Sequence, residues 1–370
     1  MNILQLISGV DVNGALVYCK LLTNRLVDLG HHVVLGARTN SWILDQEISA
    51  PTYSSSMRRY PMDEIKRFSR LIREHQIDLI HTHQSRANHF GVCLNLFTGV
   101  PVVASAHSRQ WQLHWRLNNH VIANSDATAE YMRRVNRVRP DRMTTTHCFV
   151  DLERFLNVSK TFRQYYRREL HLDENDFLVG VVGDVTQRKG HEYLVRALKS
   201  LTQSIPNLTV AFIGRFHRNE SYTKKVRAII KRDQVFRTVK WLGLRSNIHE
   251  YMQAFDVLCV PSVEEPLGMV AIEGQAAGIP VIAADTGGLN EIVQHGVSGL
   301  LFRSKSVAAV HEAILETYHH REQAAKMAAT ARANVADRFC PEHLTNRVIE
   351  TYQQILNAKS RTPISQRRAA

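Results

Sequence analysis

The stretch 261–280 constrains the fold of this chain most strongly, because it joins two short apolar segments, 256–260 and 281–284. Each segment has the length and composition of a buried strand in a parallel sheet. Between them, a turn containing Gly268 precedes a predicted helix over 269–277. The first amide N–H groups of such a helix have no internal partner. The stretch therefore predicts a site for an anion such as a phosphate.

Two carboxylates bracket the start of this helix. Glu265 lies in the turn and Glu273 within the helix, with seven residues between them. Glu265 is placed to meet the reacting part of a ligand, whereas Glu273 is placed to accept hydrogen bonds from a ribose diol. Acidic residues near a helix N-terminus also stabilise the helix dipole without any ligand. Taken alone, the two carboxylates are open to both interpretations.

Predicted strands and helices alternate along nearly the whole chain, as in parallel, doubly wound α/β sheets. The 370 residues exceed one ordinary domain and fit two. We predict an N-terminal domain over 1–157, a polar, basic linker over 158–175 and a C-terminal domain over 176–340. A helix over 341–357 and a structureless basic tail over 359–370 follow. Ligands of such sheets bind at the carboxyl ends of strands, so a cleft between two domains is the predicted site.

Positive charge is in strong excess. The formal net charge is +13, and basic residues cluster in 58–73 and 133–142. Such clusters suit nucleic acid, an anionic membrane or a phosphorylated substrate, although solvated helix faces explain any one of them more simply. No nucleic-acid-binding motif accompanies them, so we predict no nucleic-acid partner. The segment 109–116 mixes Trp with Arg, which is typical of membrane-interface segments and equally of a partly buried loop.

The expected compartment is the cytoplasm. The five cysteines are scattered without paired spacing, so they indicate neither a disulfide framework nor a zinc site. The first residues predict a strand and lack the features of a signal peptide. No apolar run approaches the ~20 residues that a membrane-spanning helix needs.

Other loops at predicted strand ends carry further candidates. Arg188 and Lys189 follow a strand over 177–183, where a bound diphosphate would need cations, although such a pair is also an ordinary surface feature. Leu244 follows another strand, where backbone groups can meet the edge of a nucleobase. The segment 285–293 is a Gly-Gly turn into a helix, which predicts a second oxyanion site.

Three histidines lie on predicted strands or at their ends. His81 and His83 share one strand face and could ligate a metal, but the sequence shows no third ligand. A structural or acceptor-facing role is the better interpretation. His107 ends another strand, where it either packs or faces a ligand.

Four motifs occur in order along the chain. They are Arg188-Lys189-Gly190, Glu265-x7-Glu273, Gly287-Gly288 with Glu291-Ile292-Val293, and the segment 295–302. Together they resemble the retaining GT-B glycosyltransferases of family 4, and the resemblance covers essentially the whole chain. It implies an α/β fold of the GT-B type, in which two Rossmann-like, doubly wound parallel-sheet domains face each other across a cleft. The helix over 341–357 would cross back to the first domain.

The resemblance also implies roles for matching positions. Lys189, with Arg188, would bind the donor diphosphate. Glu265 would contact hydroxyls of the donor sugar, and His107 would face that sugar. The implied donor-binding set is Gly14, Gly183, Leu244, Gly268, Met269, Val270 and Glu273. Glu273 would hold the ribose of the donor.

The implied activity is the transfer of a sugar from a nucleotide-diphosphate donor to a glycan or lipid-linked acceptor, with retention of anomeric configuration. Its setting would be the synthesis of cell-surface glycan, lipopolysaccharide or glycolipid. No metal or other cofactor is expected. Peripheral contact with an anionic membrane is expected at the inner face of the cell membrane. Two alternatives stay open, a GT-B nucleotide-sugar epimerase and a catalytically silent GT-B binding module.

Three positions depart from the family pattern. Asp184 stands where the family usually has an arginine, so one expected phosphate cation is missing and Arg188 is its expected substitute. The segment 214–216 reads Gly-Arg-Phe in place of Gly-x-Gly, and 148–151 reads Cys-Phe-Val-Asp in place of Asn-Gly-Val-Asp. These departures leave the identity of the donor open.

Overall fold

The structure is a computed structural model that describes residues 1–58, 62–159, 161–216 and 220–361. The chain divides into two compact units. Unit 1 contains residues 1–150 and the C-terminal segment from 341 onward, and unit 2 contains residues 151–340. None of the described helices is long and apolar enough to cross a membrane.

Each unit is built on one parallel sheet. The strands are β1 (Asn2–Ile7), β2 (His32–Arg38), β3 (Thr52–Ser55), β4 (Leu79–His83), β5 (Val102–Ala106), β6 (His120–Ala123), β7 (Met143–Thr145), β8 (Phe177–Val182), β9 (Leu208–Ile213), β10 (Val239–Gly243), β11 (Val257–Val260), β12 (Val281–Asp285) and β13 (Leu300–Arg303). The first seven form the sheet of unit 1 in the order β3-β2-β1-β4-β5-β6-β7. The other six form the sheet of unit 2 in the order β10-β9-β8-β11-β12-β13.

Helices connect the strands. They are α1 (Gly14–Asp28), α2 (Met62–Glu74), α3 (Ser85–Thr98), α4 (Asp126–Arg134), α5 (Leu152–Leu156), α6 (Thr161–Glu169), α7 (His191–Ser204), α8 (Ser221–Arg232), α9 (Ile248–Met252), α10 (Met269–Ala276), α11 (Leu289–Ile292), α12 (Val307–His319), α13 (Arg321–Arg338) and α14 (Pro341–Arg361). The prediction of doubly wound parallel sheets is confirmed.

The strand order determines where a ligand site can form. In unit 1 the order reverses between β1 and β4, and in unit 2 between β8 and β11. At such a switch point the loops that follow the two strands diverge and leave a crevice at the carboxyl edge of the sheet. Nearly all side chains of the central strands are buried, as in Ile3, Leu4 and Leu6 of β1. The sheets are therefore rigid supports for the loops at that edge.

The predicted linker over 158–175 differs from the structure. It contains α6 and belongs to unit 2. Its basic residues resemble a solvated linker, but Arg167 is buried and its Nη1 donates to Asp256 Oδ2 at 3.1 Å. Arg163 Nη2 donates to the other oxygen of Asp256 at 2.7 Å. These ion pairs attach α6 to the end of the loop before β11.

Several predicted boundaries shift as well. The strand predicted over 77–81 begins and ends two residues later, at Leu79–His83, and the edge strand β3 has too few apolar residues to be predicted. The last helix runs to Arg361, so it includes the start of the predicted tail. Residues 362–370 of that tail, and 59–61 of the basic segment, lie outside the described residues.

Candidate active site

The loops at the switch point of unit 2 carry the predicted charged residues. Arg188 and Lys189 lie in a short 3₁₀ turn after β8, and Glu265 lies after β11. The Val263 amide donates to the Arg188 carbonyl at 2.8 Å and joins the two loops directly. Arg188, Lys189 and Glu265 thus lie together at the switch point, which is where open α/β sheets bind their ligands.

Glu265 is the centre of this group and is only 6% exposed. Lys189 Nζ donates to its Oε2 at 2.7 Å and Arg188 Nη1 to its Oε1 at 3.1 Å. The Ser262 hydroxyl donates to Oε2 at 3.0 Å. Burial alone would raise the pKa of Glu265, but the two cations and these hydrogen bonds outweigh it and hold that pKa below its ordinary value. One carboxylate therefore holds two cations, and the group keeps a net positive charge for an incoming anion.

Helix α10 begins beside this carboxylate. Gly268 precedes it with φ = +105°, and a Cβ at Gly268 would lie 2.5 Å from Leu289 Cδ2, so the turn requires glycine. No side chain among the described residues caps the helix. The amides of Met269 and Val270 therefore start the helix without a side-chain acceptor, as a phosphate site requires.

Glu273 lies in the second turn of α10 and is partly buried. Burial raises its pKa to about 7, despite the neighbouring charges of Lys189 and Arg154. A carboxyl group in this state can accept hydrogen bonds from a diol and would ionise more readily when it does so.

Asp184 and Arg215 form an ion pair at the ends of β8 and β9. Arg215 Nη2 donates to Asp184 Oδ2 at 2.7 Å, and the Arg215 amide donates to Oδ1 at 2.9 Å. The neighbouring glycines bring the two strand ends together, because a Cβ at Gly214 would lie 2.3 Å from the Gly183 carbonyl oxygen. A Cβ at Gly183 would in turn lie 3.2 Å from Lys189 Cε. Asp184, which stands where the family usually has an arginine, thus holds Arg215 at the same carboxyl edge of the sheet.

The predicted donor-binding residues of unit 2 all lie at this carboxyl edge. They are Gly183, Leu244, Gly268, Met269, Val270 and Glu273. Leu244, after β10, is half-exposed. Gly14 and His107 belong to unit 1. Gly14 is exposed at the start of α1, where the Asn13 side chain caps the helix by accepting from the amide of Ala15 at 3.1 Å.

His107 joins a chain of hydrogen bonds in unit 1. His83 Nε2 lies 2.6 Å from Gln5 Oε1, which can only accept, so this nitrogen of His83 carries the proton. The Nδ1 of neutral His83 then accepts from His107 Nε2–H at 3.0 Å. His107 Nδ1 is left unprotonated and faces Cys148 Sγ at 3.7 Å. Both ring nitrogens of His107 thus face protein groups.

Burial keeps these histidines neutral. It lowers the pKa of His107 to about 4 and that of His81 to about 3, and the pKa of His83 falls well below its ordinary value for the same reason. His81 is bonded through both nitrogens, to the Tyr352 hydroxyl at 2.5 Å and the Ser105 hydroxyl at 2.8 Å. Within the described part of the chain, no group of three His, Cys, Asp or Glu side chains is arranged to hold a metal.

Comparisons with known proteins agree with this geometry. The Glycosyltransferase Family 4 model matches residues 12–154, and the Glycosyl transferases group 1 model matches residues 162–334. EpsD of Bacillus subtilis, provisionally named a glycosyltransferase, is 26% identical over 348 residues, which cover 88% of this chain and 89% of that protein. The D-inositol 3-phosphate glycosyltransferase of Kribbella flavida is 27% identical over 338 residues, 79% of each chain.

Solved structures show the same architecture. HepE of Anabaena, in complex with UDP and glucose, gives a TM-score of 0.86 at 23% identity, over 95% of this chain and 99% of that chain. The fold is therefore GT-B. The chain belongs to the group 1 glycosyltransferases, in family 4, and it is a glycosyltransferase.

Proposed function

We propose that this glycosyltransferase moves a sugar from a nucleotide-diphosphate donor to a glycan or lipid-linked acceptor, with retention of anomeric configuration. The observation that carries the proposal is the buried Glu265 carboxylate, held between Lys189 and Arg188 beside the uncapped start of α10. HepE, which shares the fold, is described in complexes with UDP and with UDP-glucose. A diphosphate is the ligand that two cations and a helix N-terminus suit best.

The proposed reaction breaks the bond between the anomeric carbon and the diphosphate. The electron pair stays on the phosphate oxygen, where Lys189, Arg188 and the α10 amides stabilise the growing charge. Glu265 remains on the donor side, where its negative charge stabilises the positive charge that develops at the anomeric carbon. The acceptor hydroxyl attacks from the face that the phosphate leaves, and the phosphate oxygen takes its proton. This sequence retains the anomeric configuration and requires no metal.

Arg215 is proposed to supply the positive charge that is missing because Asp184 stands in place of the family's arginine. Its guanidinium is held by Asp184 at the strand end adjoining Lys189. The guanidinium keeps its positive charge in this ion pair and lies at the edge where the diphosphate would bind. Position 215 then performs the part that the resemblance assigns to position 184.

Peripheral membrane contact is proposed for unit 1. Trp111, Leu113 and Leu117 are each more than half exposed, and the exposed basic residues of α2 include Lys66 and Arg70. Exposed aromatic and aliphatic side chains on a unit that also exposes basic residues favour an anionic interface. Sedimentation with phosphatidylglycerol vesicles at low salt tests this part, and failure to sediment would contradict it.

The experiment for the main proposal is a screen in two stages. Nucleoside diphosphates are first ranked by the thermal shift they cause, and the corresponding nucleotide-sugars are then assayed for sugar transfer in EDTA. Transfer to an acceptor without added metal is the expected result. Turnover of the donor sugar into an isomer without acceptor product would favour the epimerase. Binding without any turnover would favour the silent module, and activity lost in EDTA and restored by magnesium or manganese would contradict the metal-independent mechanism.

A further inference from the structure

A cavity lies in unit 1, at the edge of the sheet opposite His83 and His107. Its volume is about 240 Å³. It is lined by Trp115, Asn118, Val138 and four arginines, which are Arg116, Arg137, Arg139 and Arg142. These residues come from the segments that precede β6 and β7. The strands are parallel, so both segments lie at the amino edge of the sheet, whereas His83 and His107 lie at its carboxyl edge. We call this cavity the arginine pocket.

Hydrogen bonds and an ion pair hold several of the side chains that line the arginine pocket. Trp115 is 3% exposed, and Asn118 Nδ2 holds it by donating to its carbonyl at 3.1 Å. Arg116 Nε donates to the Asn136 carbonyl at 3.0 Å, and Arg139 Nη2 pairs with Asp141 at 2.8 Å. These contacts fix two of the four guanidinium groups in place.

The other two arginines have charge to offer. Among the described residues, the side chains of Arg137 and Arg142 have no hydrogen-bond or ion-pair partner. Arg137 also adopts φ = +52°, a left-handed conformation that is costly for a residue other than glycine and recurs at functional sites. The indole N–H of Trp115 is buried without a partner among the described residues. The pocket therefore presents donors and positive charge, and Asp141 pairs with one of its four arginines.

The chemistry of this lining selects the ligand. Planar guanidinium groups bind phosphate oxygens through paired hydrogen bonds. The volume is below the ~300–1,000 Å³ typical of pockets for drug-sized ligands, so the pocket suits one small group better than a whole nucleotide. We propose that the arginine pocket binds a phosphate-class oxyanion, either free or at the end of a lipid headgroup. The proposal does not depend on the glycosyl-transfer mechanism.

The test follows the indole N–H of Trp115 by NMR. The protein is labelled with ¹⁵N-tryptophan, and the Trp115 signal is assigned with Trp115→Phe. Inorganic phosphate is then added at constant ionic strength, with chloride as the reference salt. The signal is expected to shift and to saturate. In the double variant Arg137→Gln/Arg142→Gln the apparent Kd is expected to rise by at least about tenfold, because two charge-assisted contacts are lost.

A matched control separates the pocket from bulk charge. Arg133→Gln/Arg134→Gln removes the same charge from the neighbouring helix α4, where both arginines pair with Glu130. This control is expected to bind phosphate as the unaltered protein does. Two outcomes would overturn the proposal. One is an equal loss of phosphate affinity in both double variants. The other is a Trp115 signal that does not respond to phosphate, together with vesicle binding that neither double variant loses.

Vesicles distinguish the two sources of the oxyanion. Sedimentation with phosphatidylglycerol vesicles, but not phosphatidylcholine vesicles, that is lost in Arg137→Gln/Arg142→Gln and kept in the control identifies a lipid headgroup. A Trp115 response to free phosphate, with vesicle binding equal in both double variants, identifies a soluble phosphorylated ligand.

Discussion

Glu265 remains ionised in a buried position because Lys189, Arg188 and Ser262 all donate to it. The same contacts hold the two cations ready for a diphosphate, which can take them over as it binds. Removing one partner from such a group exposes two effects, the loss of a ligand contact and the cost of an unpaired buried carboxylate. Variants at this position must therefore be measured for both binding and stability.

Lys189→Ala is expected to weaken donor binding by about 1.5–3 kcal/mol, the worth of a hydrogen bond to a charged group. Calorimetry with the donor found in the screen measures this, and a thermal melt of the free protein reports the stability cost separately. Lys199→Ala removes an exposed lysine of α7 and is the matched control. Donor affinity and rate that stay unchanged in Lys189→Ala would remove Lys189 from the site.

Glu273 gives the site a pH dependence whose sign is fixed by its raised pKa of about 7. In the unfolded chain the pKa of Glu273 is near 4.5. Between pH 4.5 and pH 7 the folded protein therefore keeps a proton on Glu273 that the unfolded chain has lost. This proton stabilises the folded state at low pH, and the stabilisation is lost as pH rises through 7. Glu273→Gln is therefore expected to stabilise the protein by about 1–3 kcal/mol at pH 8 and by little at pH 4.5. Urea unfolding at the two pH values measures the difference. An equal effect at both would contradict the raised pKa.

Donor affinity is expected to respond in the opposite direction. A ribose diol donates to the ionised carboxylate, so donor binding should strengthen from pH 6 to pH 8. In Glu273→Gln this dependence should flatten while the maximal rate changes little, since the ribose contact is made alike in ground and transition states. A large loss of maximal rate at saturating donor would mean that Glu273 has another role.

At the scale of elements, the two switch-point loops explain what the sequence could and could not predict. Glu265, Lys189 and Gly268 were predictable because each follows a recognisable apolar strand along the chain. Arg215 was not, since its place depends on a pairing with Asp184, 31 residues away, across two strand ends. The partner of His81 is more distant still, because Tyr352 lies 271 residues further on.

The strand boundary at His83 shows the same limit. The apolar run before His81 predicts a strand over 77–81, which would leave His83 beyond its end. In the structure both are fully buried, because His81 bonds to the Tyr352 and Ser105 hydroxyls and His83 bonds to Gln5 and His107. Such a network forms only when β1, β4, β5 and α14 are together, so a local pattern cannot show it.

The proposed role of Arg215 can be tested by a double-mutant cycle with its partner Asp184. Arg215→Ala is expected to weaken donor binding more than the double variant Asp184→Ala/Arg215→Ala, because the single variant leaves an unpaired carboxylate facing the diphosphate. Calorimetry on both variants and on Asp184→Ala measures the coupling. Donor affinity in Arg215→Ala equal to that of the unaltered protein would contradict the proposed role.

At the scale of the whole molecule, buried neutral histidines make the fold sensitive to acid. Burial lowers the pKa of five of them to about 4 or below, and that of His83 well below its ordinary value; the five are His81, His107, His114, His120 and His191. Between pH 6.5 and about 4 the unfolded chain binds protons that the folded chain does not. Stability therefore falls as pH falls through this window, by up to about 1.4 kcal/mol per pH unit for each histidine.

His191 allows this prediction to be tested in unit 2. Its ring is fully buried on Phe212, and neither nitrogen has a partner among the described residues. His191→Phe is expected to lose less stability between pH 6.5 and pH 4.5 than the unaltered protein. His319→Gln, an exposed position at the end of α12, is the control and should change nothing. The same loss in all three proteins would show that His191 does not contribute.

The central claim is retaining transfer from a nucleotide-diphosphate donor at the Glu265 site. The most direct measurement is the anomeric proton coupling of the freshly formed product, by NMR, with an α-linked donor of gluco configuration. The small coupling of an α-linked product is expected. Glu265→Ala is also expected to lower the rate of forming that product at saturating donor. The large coupling of a β-linked product would contradict the mechanism.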